Sequence, residues 1–227
     1  MRISDFSVAR ILRRVKERYN EDMSKEEALR ELAVRMEQDR SLPLQESNFV
    51  FGEGRADAEL VFIGEGPGFN EDRLKRPFVG RAGQLLRQMI RELNFREEDV
   101  YITNIIKRRP PENRDPLPDE IEQYKSYLAE QIKIIDPKVI VPLGRFSMNY
   151  FLPEAKISKD QGRLFRTGGR LVYPLYHPAA ALRSTKVLEE LKASFKKLPA
   201  ILGGKNLIEA SPEVKVAPSR PPQTKLF

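Results

Sequence analysis

The ten residues ELVFIGEGPG, numbered 59–68, join a short apolar run to a glycine-rich turn. Three further apolar runs follow along the chain, VYITN (100–104), KVIVPLG (138–144) and RLVYPLY (170–176). Strands of a parallel sheet that is covered on both faces read as nearly continuous apolar runs, without alternation. We therefore predict a central sheet of four strands that run mainly parallel.

Segments with apolar residues at helical spacing separate these runs. Ala82 to Leu93 and Ile121 to Ile135 each present one apolar face, and a last such face runs from Leu188 to Leu198. Pro118, with acidic neighbours, suits the first position of a helix. This alternation of strands and helices predicts an α/β fold, a three-layer α/β/α domain.

Two helices are predicted ahead of the first strand, within residues 5–37. The first has apolar residues from Val8 to Tyr19 at helical spacing, and the second begins with Ser24 and Glu27 at the spacing of a capping box. We assign both helices to one domain, residues 1–203. Residues 204–227 contain four prolines and no periodic apolar face, which predicts a flexible tail.

Composition narrows the classes of function. Forty Lys and Arg against 33 Asp and Glu give a net charge of +7 over 227 residues, which favours a polyanionic partner. The chain has no cysteine, so disulfides, thiolate metal sites and thiol catalysis are excluded. One histidine rules out zinc sites built from several imidazoles. No stretch approaches the ~20 apolar residues of a membrane span, so we expect a cytoplasmic protein, and a monomer.

Polar segments follow three of the predicted strands. The first strand leaves into GEGPGFNED, the second ends at Asn104 and runs into KRRPPENRDP, and the fourth leaves into His177, the only histidine. Ligands of open α/β sheets bind at the carboxyl ends of the strands. We therefore expect these three segments to meet at one edge of the sheet.

Each segment also has a purely structural interpretation. GEGPG is a plain turn or a backbone that approaches a planar ligand closely, and it lacks the Lys-Ser/Thr of a phosphate-binding loop. Phe78 suits core packing or stacking on a base, and Asn104 suits a turn cap or a pyrimidine edge. KRRPPENRDP is a solvated loop or a phosphate clamp. A lone histidine such as His177 is often a buried structural residue.

Taken together, GEGPG with Glu71 and Asp72, then RPFVG, VYITN with KRRPPENRDP, and HPAAALR closely resemble the family-four uracil-DNA glycosylases over residues 50–200. Enzymes of that family flip deoxyuridine out of DNA and hydrolyse its N-glycosidic bond, which leaves an abasic site for base excision repair. The resemblance implies a DNA glycosylase, a hydrolase that acts on uracil-containing DNA.

The resemblance also implies roles for individual residues. The uracil pocket and the attacking water would be lined by Glu65, Gly66, Pro67 and Gly68. Glu71 would lie against the C5 edge of the pyrimidine, Phe78 would stack on the ring, Asn104 would read the Watson–Crick edge, and His177 would contact O2. Glu65 is the expected carboxylate for orienting the water, and Glu71 or Asp72 are less favoured alternatives.

Basic residues near these motifs are candidates for the phosphate side of the interface, namely Lys107, Arg108, Arg109, Arg114 and Arg183. Leu182 either wedges into the base stack after flipping or is an ordinary core leucine.

Most members of the resembled family hold a [4Fe-4S] cluster on four cysteines. The matching positions here carry Asp39 or Arg40, Leu42, Arg108 and Tyr124. A cluster on thiolates is impossible with these residues, so we expect no cofactor. We expect an ion pair between Asp39 and Arg108, with Tyr124 packed against it, in its place.

The last five residues, QTKLF, resemble the peptide by which bacterial repair proteins dock on the sliding clamp. Gln223, Leu226 and Phe227 would be the clamp-binding residues, and the tail would supply reach. Two other classes of function stay open, a protein that binds uracil-DNA without turnover and an accessory DNA-binding domain. Relatives that crosslink to the sugar need a second histidine after Asn104, and this chain has none.

Overall fold

The computed structural model describes residues 23–204. Its helices are α1 (Lys25–Gln38), α2 (Phe69–Leu74), α3 (Arg81–Glu92), α4 (Pro118–Ile135), α5 (Arg145–Phe151), α6 (Ile157–Asp160), α7 (Pro178–Ala181), α8 (Thr185–Phe195) and α9 (Leu198–Leu202). Its strands are β1 (Glu53–Gly54), β2 (Leu60–Gly64), β3 (Tyr101–Asn104), β4 (Val139–Pro142), β5 (Phe165–Thr167) and β6 (Arg170–Val172). The first predicted helix and the predicted tail lie outside the described residues.

The strands form one mixed sheet in the order β1-β3-β2-β4-β6-β5. The four inner strands pair in parallel, and they are the four that the apolar runs predicted. The prediction of four strands was too low, because β1 and β5 add an antiparallel strand at each edge. These edge strands are only two and three residues long, so neither has room for a recognisable pattern.

The two faces of the sheet are covered by separate apolar cores. Val61 and Ile63 pack on one face with α1 and α4, whereas Leu60 and Phe62 pack on the other face with α3, α8 and α9. Successive residues of a strand point to opposite faces, which is why one apolar run can serve both cores. The three-layer prediction is thereby confirmed.

Helix α1 begins as predicted. The Ser24 side chain accepts a hydrogen bond from the Glu27 amide, and the Glu27 carboxylate accepts one from the Ser24 amide. Buried residues of α1 join the core that it shares with α4, namely Ala28, Leu29, Leu32 and Met36. Lys25 Nζ donates to the Ile135 carbonyl at the end of α4, which fixes α1 against that helix.

Between Met23 and Gly204, no helix combines the length and the apolar character that crossing a bilayer requires.

Candidate active site

A cavity of about 270 Å³ opens at the carboxyl ends of the inner strands. Its lining includes residues from the exits of β2, β3 and β6, and it contains the predicted pocket residues Glu65, Gly66, Pro67, Gly68, Glu71, Phe78, Asn104 and His177. The three segments therefore meet at one edge of the sheet, as the sequence indicated. Backbone hydrogen bonds join these exits, from the Ile105 amide to the Gly64 carbonyl and from the Gly144 amide to the Leu175 carbonyl.

His177 ends the extension of β6 and caps the short helix α7. Its Nδ1 accepts a hydrogen bond of 3.1 Å from the Ala179 amide. A neutral imidazole carries its proton on the other nitrogen in that case, so Nε2 is left as a donor. Burial lowers the pKa of His177 to about 4, although nearby Glu71 acts in the opposite direction. The ring is therefore neutral at pH 7 and offers one N–H.

Phe78 lies across the cavity in a strained backbone conformation. Its φ is 53°, and its side chain is 5% exposed. Arg87 in α3 holds this loop, because Nε donates to the Phe78 carbonyl and an Nη donates to the Pro77 carbonyl. The Phe78 ring lies 5.8 Å from the His177 ring at 29°. Phe78 is thus both a core residue and part of the cavity lining.

Asn104 ends β3 beside Phe78. A β-carbon added at Gly64 would collide with Asn104 Oδ1 and with the tip of the Phe78 ring, so glycine allows the two side chains to meet there. Asn104 is 2% exposed, and within the described part of the chain its Oδ1 has no hydrogen-bond partner. An unpaired buried acceptor costs free energy, and such atoms in native proteins commonly mark a place where a ligand binds.

Glu65 follows β2 and reaches the exit of β4. Its Oε1 accepts a hydrogen bond from the Phe146 amide at 3.3 Å. Burial raises the pKa of Glu65, and this amide only partly offsets the effect. A β-carbon added at Gly144, whose φ is 88°, would lie 2.5 Å from Glu65 Oε1 and 3.0 Å from His177 Cβ. Gly144 therefore allows the carboxylate and the imidazole to lie close together.

The other two acidic candidates have backbone partners. Glu71 Oε1 accepts hydrogen bonds from the Val79 and Gly80 amides at 2.9 and 2.7 Å, which fastens the loop that carries Phe78. Asp72 Oδ1 accepts from the Asn48 amide at 2.7 Å, and Asp72 is not part of the cavity lining. Glu65 also lines the cavity, and its hydrogen bond from the Phe146 amide is longer, at 3.3 Å, than those that Glu71 and Asp72 accept.

Lys107 corrects one expectation. Its side chain is 0% exposed, and Nζ donates to Thr103 Oγ1, the Asn104 carbonyl and Gln131 Oε1 at 2.6 to 2.8 Å. Burial also lowers its pKa. The prediction that Lys107 contacts DNA phosphate is wrong, because the ammonium is enclosed and braces the end of β3 from inside.

Arg108 is buried as well, so it is also withdrawn as a phosphate contact. Its Nη1 donates to the Ser47 carbonyl, and its guanidinium lies 5.6 Å from the Phe49 ring centre. Asp39 has different partners, since it accepts hydrogen bonds from Ser41 and from the Tyr127 hydroxyl. The prediction of an ion pair between Asp39 and Arg108 is therefore wrong, because each side chain binds other partners.

A cysteine-ligated cluster does not fit this region. Leu42 and Tyr124 are buried, and the Tyr124 hydroxyl donates to the Pro43 carbonyl at 3.1 Å. Neither residue, nor Arg108, carries a thiolate. Leu42 and Tyr124 belong instead to the apolar core on the α1 and α4 side of the sheet.

The remaining DNA-facing candidates are at the surface. Arg109 is half-buried, and Arg114 and Arg183 are exposed. Arg114 forms an ion pair with Glu120 at 2.6 Å. Leu182 is 44% exposed immediately after α7, so the core-leucine alternative is excluded.

Three nearby residues were missed by sequence reasoning. Gly144 had a signal, a glycine at the carboxyl end of a predicted strand. Arg145 and Asp115 form an exposed ion pair of 3.0 Å, and Asp115 lines the cavity. No local pattern could have found this pair, because the two residues are 30 positions apart.

Residues 51–199 match the Uracil DNA glycosylase superfamily. The chain is 44% identical over 168 residues to the type-4 uracil-DNA glycosylase of Archaeoglobus fulgidus, covering 70% of this chain and 84% of that protein. It is 47% identical over 146 residues to the type-4 enzyme of Thermotoga maritima, covering 63% and 76%. The type-4 enzyme of Sulfurisphaera tokodaii is 44% identical over 182 residues, covering 70% and 83%.

The family match covers both the sheet and all the loops that build the cavity. It agrees with the resemblance that the short motifs indicated, and the three relatives named above are all type-4 enzymes. The chain therefore belongs to the uracil-DNA glycosylase superfamily, as a cysteine-free relative of its type-4 members.

Proposed function

We propose that this protein is a monofunctional uracil-DNA glycosylase that releases uracil from DNA and leaves an abasic site. One observation carries the proposal beyond family membership. The buried, unpartnered Oδ1 of Asn104 lies in a cavity beside Phe78 and His177, so an acceptor, a ring face and a fixed donor are available to one small planar ligand.

Base selection follows from the Asn104 amide. Uracil presents a donor at N3 and an acceptor at O4, which match the Oδ1 and the amide protons of one asparagine. Cytosine presents an acceptor at N3, so it would place two acceptors face to face. Phe78 supplies the surface on which the ring stacks. Glu71 keeps this surface in place by holding the Phe78 loop, and it would lie near the C5 edge.

Bond cleavage needs stabilisation of two charges. As the bond between C1′ and N1 breaks, its electron pair passes to uracil and the sugar becomes oxocarbenium-like. The His177 Nε2–H donates to O2, where the negative charge accumulates, and it needs no protonation to do so. A donor that acts on charge formed only during the reaction lowers the barrier directly.

Water completes the reaction at C1′. The Glu65 carboxylate orients the water, takes its proton as the new C–O bond forms, and opposes the positive sugar before that. The raised pKa of Glu65 suits a group that must accept a proton. Departing uracil carries the electron pair of the broken bond and acquires a proton from solvent.

Binding of the DNA strand falls to the rim. Exposed Leu182 is placed to enter the stack that the flipped nucleotide leaves, and Arg183 follows it in the chain. Arg109 and Arg114 are on the loop after β3, where phosphates of the same strand would pass. These contacts offset the few kcal/mol that extruding a nucleotide costs.

Incubation with a uracil-containing oligonucleotide, followed by alkali, tests the proposal. We expect strand breakage at uracil and none at thymine in the matched oligonucleotide. The Asn104→Ala and His177→Ala variants should lose the activity, with Leu74→Ala as a folded control. An oligonucleotide that is shifted in a gel but stays intact would instead support a binding protein. Unchanged function in both site variants would support an accessory DNA-binding domain.

We also propose that the C-terminal QTKLF peptide binds the sliding clamp, and that the protein works as a cytoplasmic monomer. The peptide lies outside the described residues, so its sequence alone supports the first proposal. Deleting residues 223–227 should abolish capture by immobilised clamp and leave release of uracil from short oligonucleotides unchanged. Capture that survives the deletion would refute clamp binding, and a dimer by sedimentation would refute the monomer.

A further inference from the structure

Phe69 is a large aromatic residue placed in solvent beside the cavity. It is 57% exposed, it begins α2, and it directly follows Gly68, which lines the cavity. Exposing so much apolar surface opposes the hydrophobic effect, and the base-recognition chemistry above makes no use of this ring. Single exposed apolar residues are common on protein surfaces, so exposure alone assigns Phe69 no role. Its place beside Gly68 of the cavity lining and its contact with a cation distinguish it from the other exposed apolar residues.

Arg109, on the loop after β3, contacts this ring. Its guanidinium carbon lies 5.2 Å from the centre of the Phe69 ring, which is within the range of a cation–π contact. Its Nε donates to Asn113 Oδ1 at 2.7 Å, and Asn113 lines the cavity. The pair therefore connects the segment after β2 with the loop after β3, next to residues that line the cavity.

The chemistry of the pair fits a nucleotide. An aromatic face accepts any nucleobase by stacking, and a guanidinium beside it neutralises a phosphate. Arg109 donates to Asn113 through Nε, and its two terminal nitrogens take no part in that hydrogen bond. They can therefore donate to a phosphate. Phe69 follows Gly68 and Arg109 precedes Pro110, and both of these neighbours line the cavity, so the pair is within reach of a nucleotide joined to a uracil bound there.

We propose that Phe69 and Arg109 form a stacking platform for the base of a nucleotide next to the uracil on the same strand. This subsite rests on the proposed function, since it requires uracil to occupy the cavity. It makes the enzyme sensitive to the presence of a flanking base, while the uracil contacts remain unchanged.

A double-mutant cycle between protein and substrate tests the platform. The wild type and Phe69→Ala are compared on single-stranded oligonucleotides in which the base on either side of uracil is present or replaced by an abasic analogue. We expect Phe69→Ala to lower kcat/KM roughly ten-fold when both bases are present, the usual size of one stacking contact. Removing one flanking base should lower the wild-type value to a similar degree and should abolish the difference between the two proteins.

Matched variants separate stacking from a general loss of apolar surface. Leu74→Ala removes a side chain of the same helix that is 52% exposed, and it should leave kcat/KM unchanged on every substrate. Phe69→Tyr should retain the wild-type behaviour, and Phe69→Leu should behave as Phe69→Ala. Fluorescence of 2-aminopurine placed next to uracil should be quenched on binding the wild type and not on binding Phe69→Ala.

The outcomes are distinguishable from failure of the proposed function. Absence of uracil release by the wild type refutes the glycosylase itself. Normal release together with an unchanged Phe69→Ala variant, or a loss that persists after each flanking base is removed, refutes the platform alone.

Discussion

His177, the only histidine of the chain, is neutral at pH 7, and in the proposed mechanism it acts as a hydrogen-bond donor. The Ala179 amide occupies Nδ1, and burial keeps the pKa of the ring at about 4. An imidazolium would bring a full positive charge, but charging the ring would require breaking this hydrogen bond or making Nδ1 a second donor beside an amide. In the proposed mechanism, catalysis therefore relies on the position of one N–H rather than on a positive charge.

The pH dependence of the single-turnover rate tests this. We expect no transition near pH 6.5, where an ordinary histidine titrates, because His177 stays neutral down to about pH 4. The rate should fall on the acid side as Glu65 becomes protonated, above the ordinary carboxyl value of 4.5. His177→Gln should lower the rate by roughly 10²-fold and leave the shape of the profile unchanged. A transition near 6.5 that this variant lacks would show that His177 acts as a charged group.

The ionised Glu65 carboxylate should lower the stability of the fold while it supports the proposed reaction. Its pKa is raised in the folded protein, so the ionised form is disfavoured there, and stability falls as pH rises through 4.5 towards the folded value. Glu65→Gln should therefore raise Tm at pH 7 by roughly 2–4 °C and lower kcat by on the order of 10² or more. The gain in Tm should vanish below pH 4.5, where both forms are uncharged. A lower Tm at pH 7 would contradict the role of burial at this carboxyl.

Sequence reasoning located the cavity because GEGPG, Asn104 and His177 each follow a predicted strand, and strand exits converge. Glu71 and Phe78 were identified through the resemblance of their motifs to those of the family. It was wrong for Lys107 and Arg108, because a run of three basic residues is typical of solvent-exposed loops and carries no sign of burial. Lys107 is enclosed only because Thr103, Asn104 and Gln131 each supply an oxygen, and Gln131 is on a different element. Such a site depends on tertiary contacts that no local pattern records.

The turn between β4 and α5 determines how closely Glu65 and His177, the proposed catalytic residues, can approach each other. Gly144 has a φ of 88°, a conformation that L side chains rarely adopt, and it faces both Glu65 and His177. Because Gly144 has no β-carbon, the turn leaves room for Glu65, which follows β2, and for His177, which lies beyond β6.

Gly144→Ala should therefore cost both stability and rate. We expect a loss of about 1 kcal/mol or more in unfolding free energy from the strained φ, and a fall in kcat of up to roughly 10²-fold from displaced catalytic groups. Gly168→Ala is the matched control, since its φ is also positive at 55° but a β-carbon there meets nothing within 4 Å. The control should lose stability alone, as measured by denaturant unfolding and single-turnover kinetics. Equal rates in the two variants would contradict the positioning role.

Strand length and burial explain which strands were predictable. The inner strands are four or five residues long, with the exception of β6, and buried neighbours on both faces produce their apolar runs. The edge strand β1 contains only Glu53 and Gly54, and it is held by ion pairs from Glu53 to Arg76 and Arg87. Strand β1 pairs with β3, and the arginines that bind Glu53 are more than 20 positions away, so the sequence of β1 alone does not indicate a strand.

The whole chain has no cysteine, so the cluster that the resemblance would imply has no thiolate ligands here. Arg108, Leu42 and Tyr124 pack between the loop of residues 39–49 and α4 instead. The stability of this region should therefore not depend on iron or on redox conditions.

Treatment with an iron chelator, a disulfide-forming oxidant or a thiol-alkylating reagent should leave both Tm and uracil release unchanged. The reason is chemical, since a chain with no cysteine offers none of these reagents a thiolate or a thiolate-bound metal. Tm measured by calorimetry, and activity measured on the same samples, check the expectation. A loss on chelation alone would reveal a metal held by oxygen or nitrogen ligands, and would contradict the expected absence of a cofactor.

The short edge strands also bear on behaviour at high concentration. Long, flat sheet edges recruit strands from other molecules, which leads to aggregation. Here β1 offers two residues and carries a charged side chain, and β5 offers three with an exposed Arg166 at its centre. Within residues 23–204, neither sheet edge offers a long template for strand addition, so we expect these two edges not to nucleate intermolecular β-structure in a concentrated solution.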